Sequence, residues 1–400
     1  MDKQVQLICL DATLVITSTE KAPSPGRVGC LSAAPGAEEE GADESEMQRA
    51  ARRLELIPTL LRLFFYEDAC DGPERFLSYV ESQHEISIVF DEQLLAHFAD
   101  GALEFEPIRW KALQVASAGT GAFLSQLAVL TELTSKLARR DISVFQISTY
   151  QSDYGTIQTL AVMFVMACGL TVLVKVEDLP EAVRCLQSFC MTQTESGEEL
   201  VAEGEADNNV VPNSPKSDDT GDLTEDEAVA VHQHVLSIPN IDLHLVQMNR
   251  SAVKRHMFAL VQLLFCHGRR STNDPLAEAG KADQHFLSYS ETAEGVSVVT
   301  SDADFLEQAK MLASRGDEGV SVSPDDWKVV QIGATKLGFT ETGIVAGQTR
   351  VLVNAGTMVF YISTYATDFM LIKDDEWDAA LPILRSHFDV IEGRFAALEQ

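Results

Sequence analysis

Glu341 and Asp368 are the two side chains of this sequence whose type and placement point to chemistry. Glu341 opens the turn Glu341-Thr-Gly343 ahead of a helical stretch and follows Leu337-Gly-Phe-Thr340. Backbone N–H groups at such a helix start favour an anion, for instance the carboxylate of an amino acid. Asp368 closes an apolar strand beside the start of that helix. Two carboxylates converging near an N–H-rich turn suit a ligand with one anionic end and cationic groups, which describes a basic amino acid. Gly338 and Gly343 would let the backbone approach such a ligand closely. Each acid alone has a plainer explanation. A first-turn glutamate steadies a helix by about a few tenths of a kcal/mol, and Asp368 could cap a turn.

Nothing in the chain asks for catalysis. It has no phosphate-binding loop, no G-x-S-x-G, no H-E-x-x-H and no partnered Cys/His spacing. Gly119-Thr-Gly121 lacks the third glycine of a dinucleotide fingerprint and reads as a helix-entry turn. His232-Gln-His234 could chelate a metal, but no second cluster completes a coordination shell, so no metal or cofactor is expected.

The elements that must position the two acids are duplicated. Ile142-Ser-Val-Phe-Gln-Ile-Ser-Thr-Tyr-Gln-Ser-Asp153 returns as Val359-Phe-Tyr-Ile-Ser-Thr-Tyr-Ala-Thr-Asp368. Phe76-Leu-Ser-Tyr79 returns as Phe286-Leu-Ser-Tyr289, and Trp110-Lys111 as Trp327-Lys328. Repeated strands with repeated turn chemistry mean two homologous halves. Each half orders an apolar helix, an F-L-S-Y strand, a W-K strand, a second helix and an I-S-T-Y strand. That β-α-β-β-α plan packs helices on one face of an antiparallel sheet. Where the second half has Glu341-Thr-Gly343, the first has Gly119-Thr-Gly121, so the carboxylate belongs to one half only. Asp153, the counterpart of Asp368, reads as a turn cap or a surface residue.

Charge and cysteine usage narrow the partners. The net charge of -31 disfavours nucleic acid, whose phosphates would be repelled. Seventeen of those charges sit in two runs, Glu38 to Glu46 and Glu195 to Glu227, which read as solvated, unstructured chain. Ser214-Pro215 in the second run is a possible phosphorylation dipeptide. Seven cysteines with no C-x-x-C pair suit buried thiols in a reducing compartment, and the start Met-Asp-Lys-Gln-Val has no signal-like core; a cytoplasmic location is expected. Tyr154 to Val174 carries no charge and is long enough to span a bilayer. A span there would tear one repeat apart, so it is expected instead to extend a strand or pack as an extra element.

The combination of Ser143-Val144, Ser148-Thr-Tyr-Gln-Ser-Asp153, Leu337-Gly-Phe-x-Glu-x-Gly-Ile-Val345 and Ile362-Ser-Thr-Tyr-x-x-Asp368 resembles the CASTOR-type cytosolic arginine sensors. The resemblance implies an α+β chain of four ACT-like domains, ferredoxin-like βαββαβ units in two homologous pairs. On this chain they fall at residues 1–107, with an acidic loop near 19–52; 108–192, with an apolar insertion at 155–171; 229–326; and 327–400, with an acidic linker at 193–228. ACT domains also regulate aspartate kinases, but no kinase domain is present.

The resemblance further implies an arginine pocket between the second and fourth domains. Ser143 and the backbone of Val144 would hold the amino-acid end, and Glu341 would face its ammonium. Gly338, Gly343, Ile344 and Val345 would form lid and floor. Carbonyls of Thr364, Tyr365 and Thr367 would receive the guanidinium, with Asp368 as its ion-pair partner. A guanidinium presents five donors in a plane, so a carboxylate plus carbonyls saturates it, whereas lysine's compact head leaves acceptors unpaired. Thr367 departs from the family's aromatic. Tyr150, Gln151 and Asp153 stand where the family binds the GATOR complex, an upstream regulator of TOR signalling, through a surface patch. Homodimerisation through the first and third domains is implied too. Arginine would act as an allosteric ligand that bridges the halves, neutralises Glu341 and Asp368, and re-aims the partner surface. The competing readings are an ACT-repeat scaffold with a vestigial pocket and a regulatory subunit of an amino-acid biosynthetic enzyme.

Overall fold

Two halves built to one plan meet along strands that carry the repeated motifs. The computed structural model describes residues 5–20, 56–65, 75–83, 85–117, 123–152, 166–201, 234–266, 284–293, 295–333, 336–353 and 355–396. The first half contains β1 (Val5–Cys9), β2 (Leu14–Glu20), α1 (residues 56–65), β3 (Leu77–Glu81), β4 (Glu85–Asp91), β5 (Glu104–Phe105) and β6 (Trp110–Ser117). It continues through α2 (Phe123–Ala138), β7 (Val144–Ser152), β8 (Met166–Lys175), α3 (Leu179–Leu186) and β9 (Cys190–Thr194). The second half contains β10 (Leu236–Ile238), β11 (Asp242–Met248), α4 (Arg250–Arg255), α5 (Met257–Phe265), β12 (Leu287–Thr292), β13 (Gly295–Thr300) and α6 (Ala303–Ser314). It ends with β14 (Val320–Ile332), α7 (Ile344–Val353), β15 (Val359–Ser363), β16 (Asp368–Lys373), α8 (Asp374–His387) and β17 (Val390–Glu392).

The pairings repeat. In the first half the order β9-β1-β6-β8-β7 is antiparallel except for the parallel β1–β9 pair. In the second it is β17-β10-β14-β16-β15, with β10–β17 parallel. A second set, β3-β4-β2 and β12-β13-β11, has the same relation in both halves. Among the described residues, strands of the two halves pair at two places. β3 pairs antiparallel with β12 with Tyr79 opposite Tyr289, and β7 meets β15 at Ile147 opposite Ile362. Equivalent residues facing each other mark a local two-fold axis at each joint.

These pairings correct the expected boundaries. β1, placed by chain order in the first unit, completes the sheet of the second; β10 likewise leaves the third unit for the fourth. The division at 326/327 falls inside β14, one strand that pairs with β11 at its start and with β16 at its end. The expected 155–171 insertion overlaps β8, whose ladder with β7 runs out to Ser152 opposite Met166. β8 is thus a strand extension, and its Val172 and Val174 pack toward the helices while Leu173 packs on the opposite face. Burial on both faces accounts for the apolar residues 170–174 at the end of the uncharged run. No helix among the described residues is long and apolar enough to cross a membrane. The expected linker begins later than 193, because Gln193 bridges Glu199 in a short hairpin. Glu38 to Glu46, Ser214, Pro215, Gly119, Gly121 and His232 lie outside the described residues.

Strand residues alternate between two environments, as period-two side chains must. In β15, Val359 and Tyr361 join the core under α2, α3, α7 and α8, while Phe360 and Ile362 join a core shared with Trp327, Phe286 and Phe369. The paired strands thus carry helices outside and aromatic-rich cores between their inner faces.

Candidate ligand-binding site

The β7–β15 joint builds one wall of a pocket. Around Ile147 and Ile362 the tie is reciprocal: Ser363 Oγ accepts the Gln146 N–H at 3.0 Å and Ser148 Oγ accepts the Tyr361 N–H at 3.1 Å. The serine of each I-S-T-Y motif therefore binds the opposite half. The tyrosine backbone does the same, since Tyr365 N–H donates to Ser87 Oγ at 3.0 Å and Tyr150 N–H to Ser297 Oγ at 2.8 Å. The repeated motif is a joint, and its hydrogen bonds satisfy buried edge groups that no ladder reaches.

Beside it lies a partly open pocket enclosing, with its mouth, about 450 Å³. Its lining includes Ser143, Val144, Gly338, Glu341, Gly343, Ile344, Val345, Thr364, Tyr365 and Asp368, which is every expected ligand residue except Thr367. Thr367 is buried behind the wall, its hydroxyl donating to the Ile332 carbonyl at 2.5 Å and its own carbonyl accepting the Thr364 N–H at 2.8 Å. That carbonyl is committed to the turn, which corrects the expectation that it serves a guanidinium. The sequence reading also missed Trp110, Phe145, Leu337, Phe339 and Ser363 in the lining. Phe339 meets Trp110 and Tyr365 edge-on, with centroids 5.5 and 5.2 Å apart, and forms an apolar lip.

One end of the pocket is shaped by backbone geometry. Gly343 adopts φ +79°, a conformation that favours glycine, and α7 starts immediately after it. First-turn N–H groups, those of Ile344 and Val345 among them, have no carbonyl within their own helix. Gly338 has no comparable steric need, for an added Cβ would meet only Thr340 Oγ1 at 3.6 Å. Ser143 Oγ donates to the Phe339 carbonyl at 2.8 Å, so the halves already touch at the pocket mouth. Glu341 accepts the Gly338 N–H at 3.4 Å and stands 3.3 Å from His234 Nε2.

Acidic side chains gather at and behind the other end of the pocket. Asp368 is buried, and Tyr361 Oη donates to its Oδ2 at 2.7 Å. Burial pushes the Asp368 carboxyl up from 3.8 to about 6; the hydroxyls of Tyr361 and Ser363 oppose this, while Glu341 and Glu85 add to it. Glu85, missed by sequence reading, reaches the same turn from β4. Its Oε1 lies 2.5 Å from Thr364 Oγ1 and accepts the Ala366 N–H at 3.2 Å, and Ser18 Oγ donates to Oε2 at 3.3 Å. Burial raises this carboxyl as well, against its hydrogen bonds with Thr364, Ala366 and Ser18. No local signal could reveal Glu85, because its partners are some 280 residues away. Charging both buried acids is unfavourable without a nearby positive charge.

The expected partner patch differs from expectation. Tyr150 is 2% exposed and packs in a core with Phe286, Val299 and Trp327, so its side chain is not a surface group. Ile147 and Tyr150, three residues apart in β7, face opposite ways, and Tyr150 turns into the core around Phe286. The Gln151 side chain and Asp153 lie outside the described residues. Among the described residues no cluster of three or more His, Cys, Asp or Glu side chains could hold a metal ion.

Comparison with known proteins gives matches of three kinds. Residues 106–159 and 322–386 match the ACT domain family model. The chain is similar to cytosolic arginine sensor for mTORC1 subunit 1 of Mus musculus, 23% identical over 336 residues covering 82% of this chain and 89% of the relative. It is also similar to the Homo sapiens protein of the same name, at 22% identity over 321 residues, 78% of this chain and 86% of the relative. Among solved structures, aspartate kinase from Synechocystis aligns over 97% of this chain and 56% of its own, at 11% identity and TM-score 0.30, too loosely to bear on structural detail.

Proposed function

We propose that this protein is a non-enzymatic sensor of a basic amino acid, arginine, built from four ACT-like units and binding its ligand where the second and fourth meet. The observation that supports the reading is one pocket with unlike ends: α7 first-turn N–H groups, Ser143 and Glu341 at one, and the buried Asp368 at the other. An α-carboxylate fits the N–H groups, Glu341 takes the ammonium, and Asp368 with the Thr364 and Tyr365 carbonyls receives a planar guanidinium. The two relatives named as arginine sensors support the ligand, and the ACT matches support amino-acid regulation as the class.

Ligand charge would relieve the mutual repulsion of Asp368 and Glu341 and draw β7 and the 337–345 turn together. Any change in a partner surface is limited to the difference in arginine affinity between the two arrangements. In this proposal the surface around Gln151 and Asp153 engages a GATOR-type complex and thereby TOR-pathway signalling in the cytoplasm, and the protein acts as a homodimer. A scaffold reading draws on one observation, the withdrawal of Thr367 from the pocket. A thermal-shift screen of the twenty amino acids decides between them. Arginine should raise Tm most, lysine less and neutral amino acids not at all; a flat screen favours the scaffold, and a response to a neutral amino acid favours a biosynthetic regulator.

A further inference from the structure

The first unit grips the pocket without lining it. None of the β4 residues lines the cavity, yet Glu85 and Ser87 of that strand hold the backbone of the Thr364–Ala366 turn that does. We infer that Glu85 is a positioning residue of the pocket: through Thr364 and Ala366 it fixes the turn that precedes Asp368, so that ligand affinity depends on a strand remote from the ligand.

Proton bookkeeping supports the assignment. Thr364 Oγ1 lies 2.5 Å from both Glu85 Oε1 and the Thr367 carbonyl, and it accepts the Thr367 N–H at 3.2 Å. A hydroxyl carries one proton. If that proton goes to the carbonyl, the Glu85–Thr364 contact needs the proton on Glu85. Burial of this carboxyl, at 5% exposure, favours that form. The result is a closed ring of donors and acceptors that leaves the turn one conformation.

The mirror joint shows that the contact is not a requirement of the fold. Aligning the hairpins places Glu85-Ile-Ser87 on Gly295-Val-Ser297, and Ser297 repeats the serine tie to Tyr150. The carboxylate has no counterpart. Gly295 has φ +142°, and an added Cβ would lie 2.7 Å from the Met248 carbonyl, so no side chain fits there. The joint with the pocket has the carboxylate, and the joint opposite excludes one.

The inference rests on the pocket reading, and its test separates the two. Amide hydrogen exchange of the ligand-free full chain is measured for the parent, Glu85→Ala and Glu85→Gln, together with calorimetric titration with arginine. In Glu85→Ala the Ala366 and Thr367 amides should exchange at least about tenfold faster, with the β6–β8 ladder unchanged, and arginine affinity should fall at least about tenfold. Glutamine keeps one oxygen that accepts the Ala366 N–H and the Thr364 hydroxyl, with its NH2 turned to Ser18 Oγ, so Glu85→Gln should restore both to within about threefold of the parent. Unchanged exchange in Glu85→Ala overturns the inference, as does lost affinity that Glu85→Gln does not rescue. Should the parent take up no arginine, the ligand reading falls, and the exchange measurements alone decide the positioning role.

Discussion

The two β-hairpin joints of this molecule share a mould but not a content. At one, Tyr150 N–H binds Ser297; at the other, Tyr365 N–H binds Ser87, and between them Ser148 and Ser363 exchange backbone ties across the axis. On that common frame the second half adds a tyrosine and the first half lends a glutamate. Tyr361 takes the place that Gln146 has in the first half and donates to Asp368, while the Gln146 side-chain amide, fully buried, finds no hydrogen-bond partner among the described residues. Glu85 buttresses the pocket turn, and its counterpart is Gly295. The lesson is that the repeated residues make the joints and the departures from the repeat make the site.

The strongest break of this asymmetry is at Asp368. Its carboxyl titrates near 6 in the folded chain against an ordinary value of 3.8, because burial disfavours the charge. The neutral form is therefore the one the fold favours: stability is fully present below about pH 4 and is lost as pH rises through about 6. Asp368→Asn keeps a neutral acceptor for Tyr361 at every pH. It should unfold in denaturant with roughly 3 kcal/mol more stability than the parent at pH 7.5, the gain vanishing by about pH 4. The same variant should lose arginine binding by about a hundredfold or more. In the parent, arginine affinity should decline below about pH 6, with proton release on binding, as calorimetry in buffers of different ionisation enthalpy would show.

Next in size is a pair of glycines. Gly295→Ala forces a Cβ against the Met248 carbonyl in a conformation L residues avoid, and should cost at least about 2 kcal/mol in chemical denaturation. Gly338→Ala meets ordinary contact and should stay within about 0.5 kcal/mol. Any loss of arginine affinity in Gly338→Ala would then report the ligand's approach and not the fold.

The serines sharpen the comparison most finely. Ser148→Ala and Ser363→Ala each orphan one buried N–H, at Tyr361 and Gln146 respectively, and each should cost about 1–2 kcal/mol of stability. Only Ser363 also lines the pocket and bonds Asp368, so only Ser363→Ala should weaken arginine further in calorimetry. Equal losses in both variants would mean that the joint, and not the pocket, sets affinity.

Much of this was legible in the chain, for local reasons. F-L-S-Y and I-S-T-Y repeat because each serves a joint, and a duplicated joint leaves a duplicated word. Glu341 and Asp368 stood out because a turn and a strand end are short-range features. What stayed hidden was pairing between distant segments. Nothing in Val5-Gln-Leu-Ile-Cys9 says that it lies between β6 and β9, and nothing around Glu85 announces Thr364 and Ala366. Tyr150 read as a surface residue because a motif records identity and not which face of a two-sided strand points inward. Thr367 failed as a ligand residue for a similar reason, since the turn uses its carbonyl before any ligand can.

The central claim is that one cation is held by Asp368 within a pocket shared by the two halves. Isothermal titration of the full chain with arginine, run beside Asp368→Ala at pH 7.5, addresses it directly. The account requires saturable uptake of one arginine per chain in the parent and no measurable heat in a variant whose circular dichroism matches the parent. Equal affinity in both proteins, or no uptake by the parent, would contradict it.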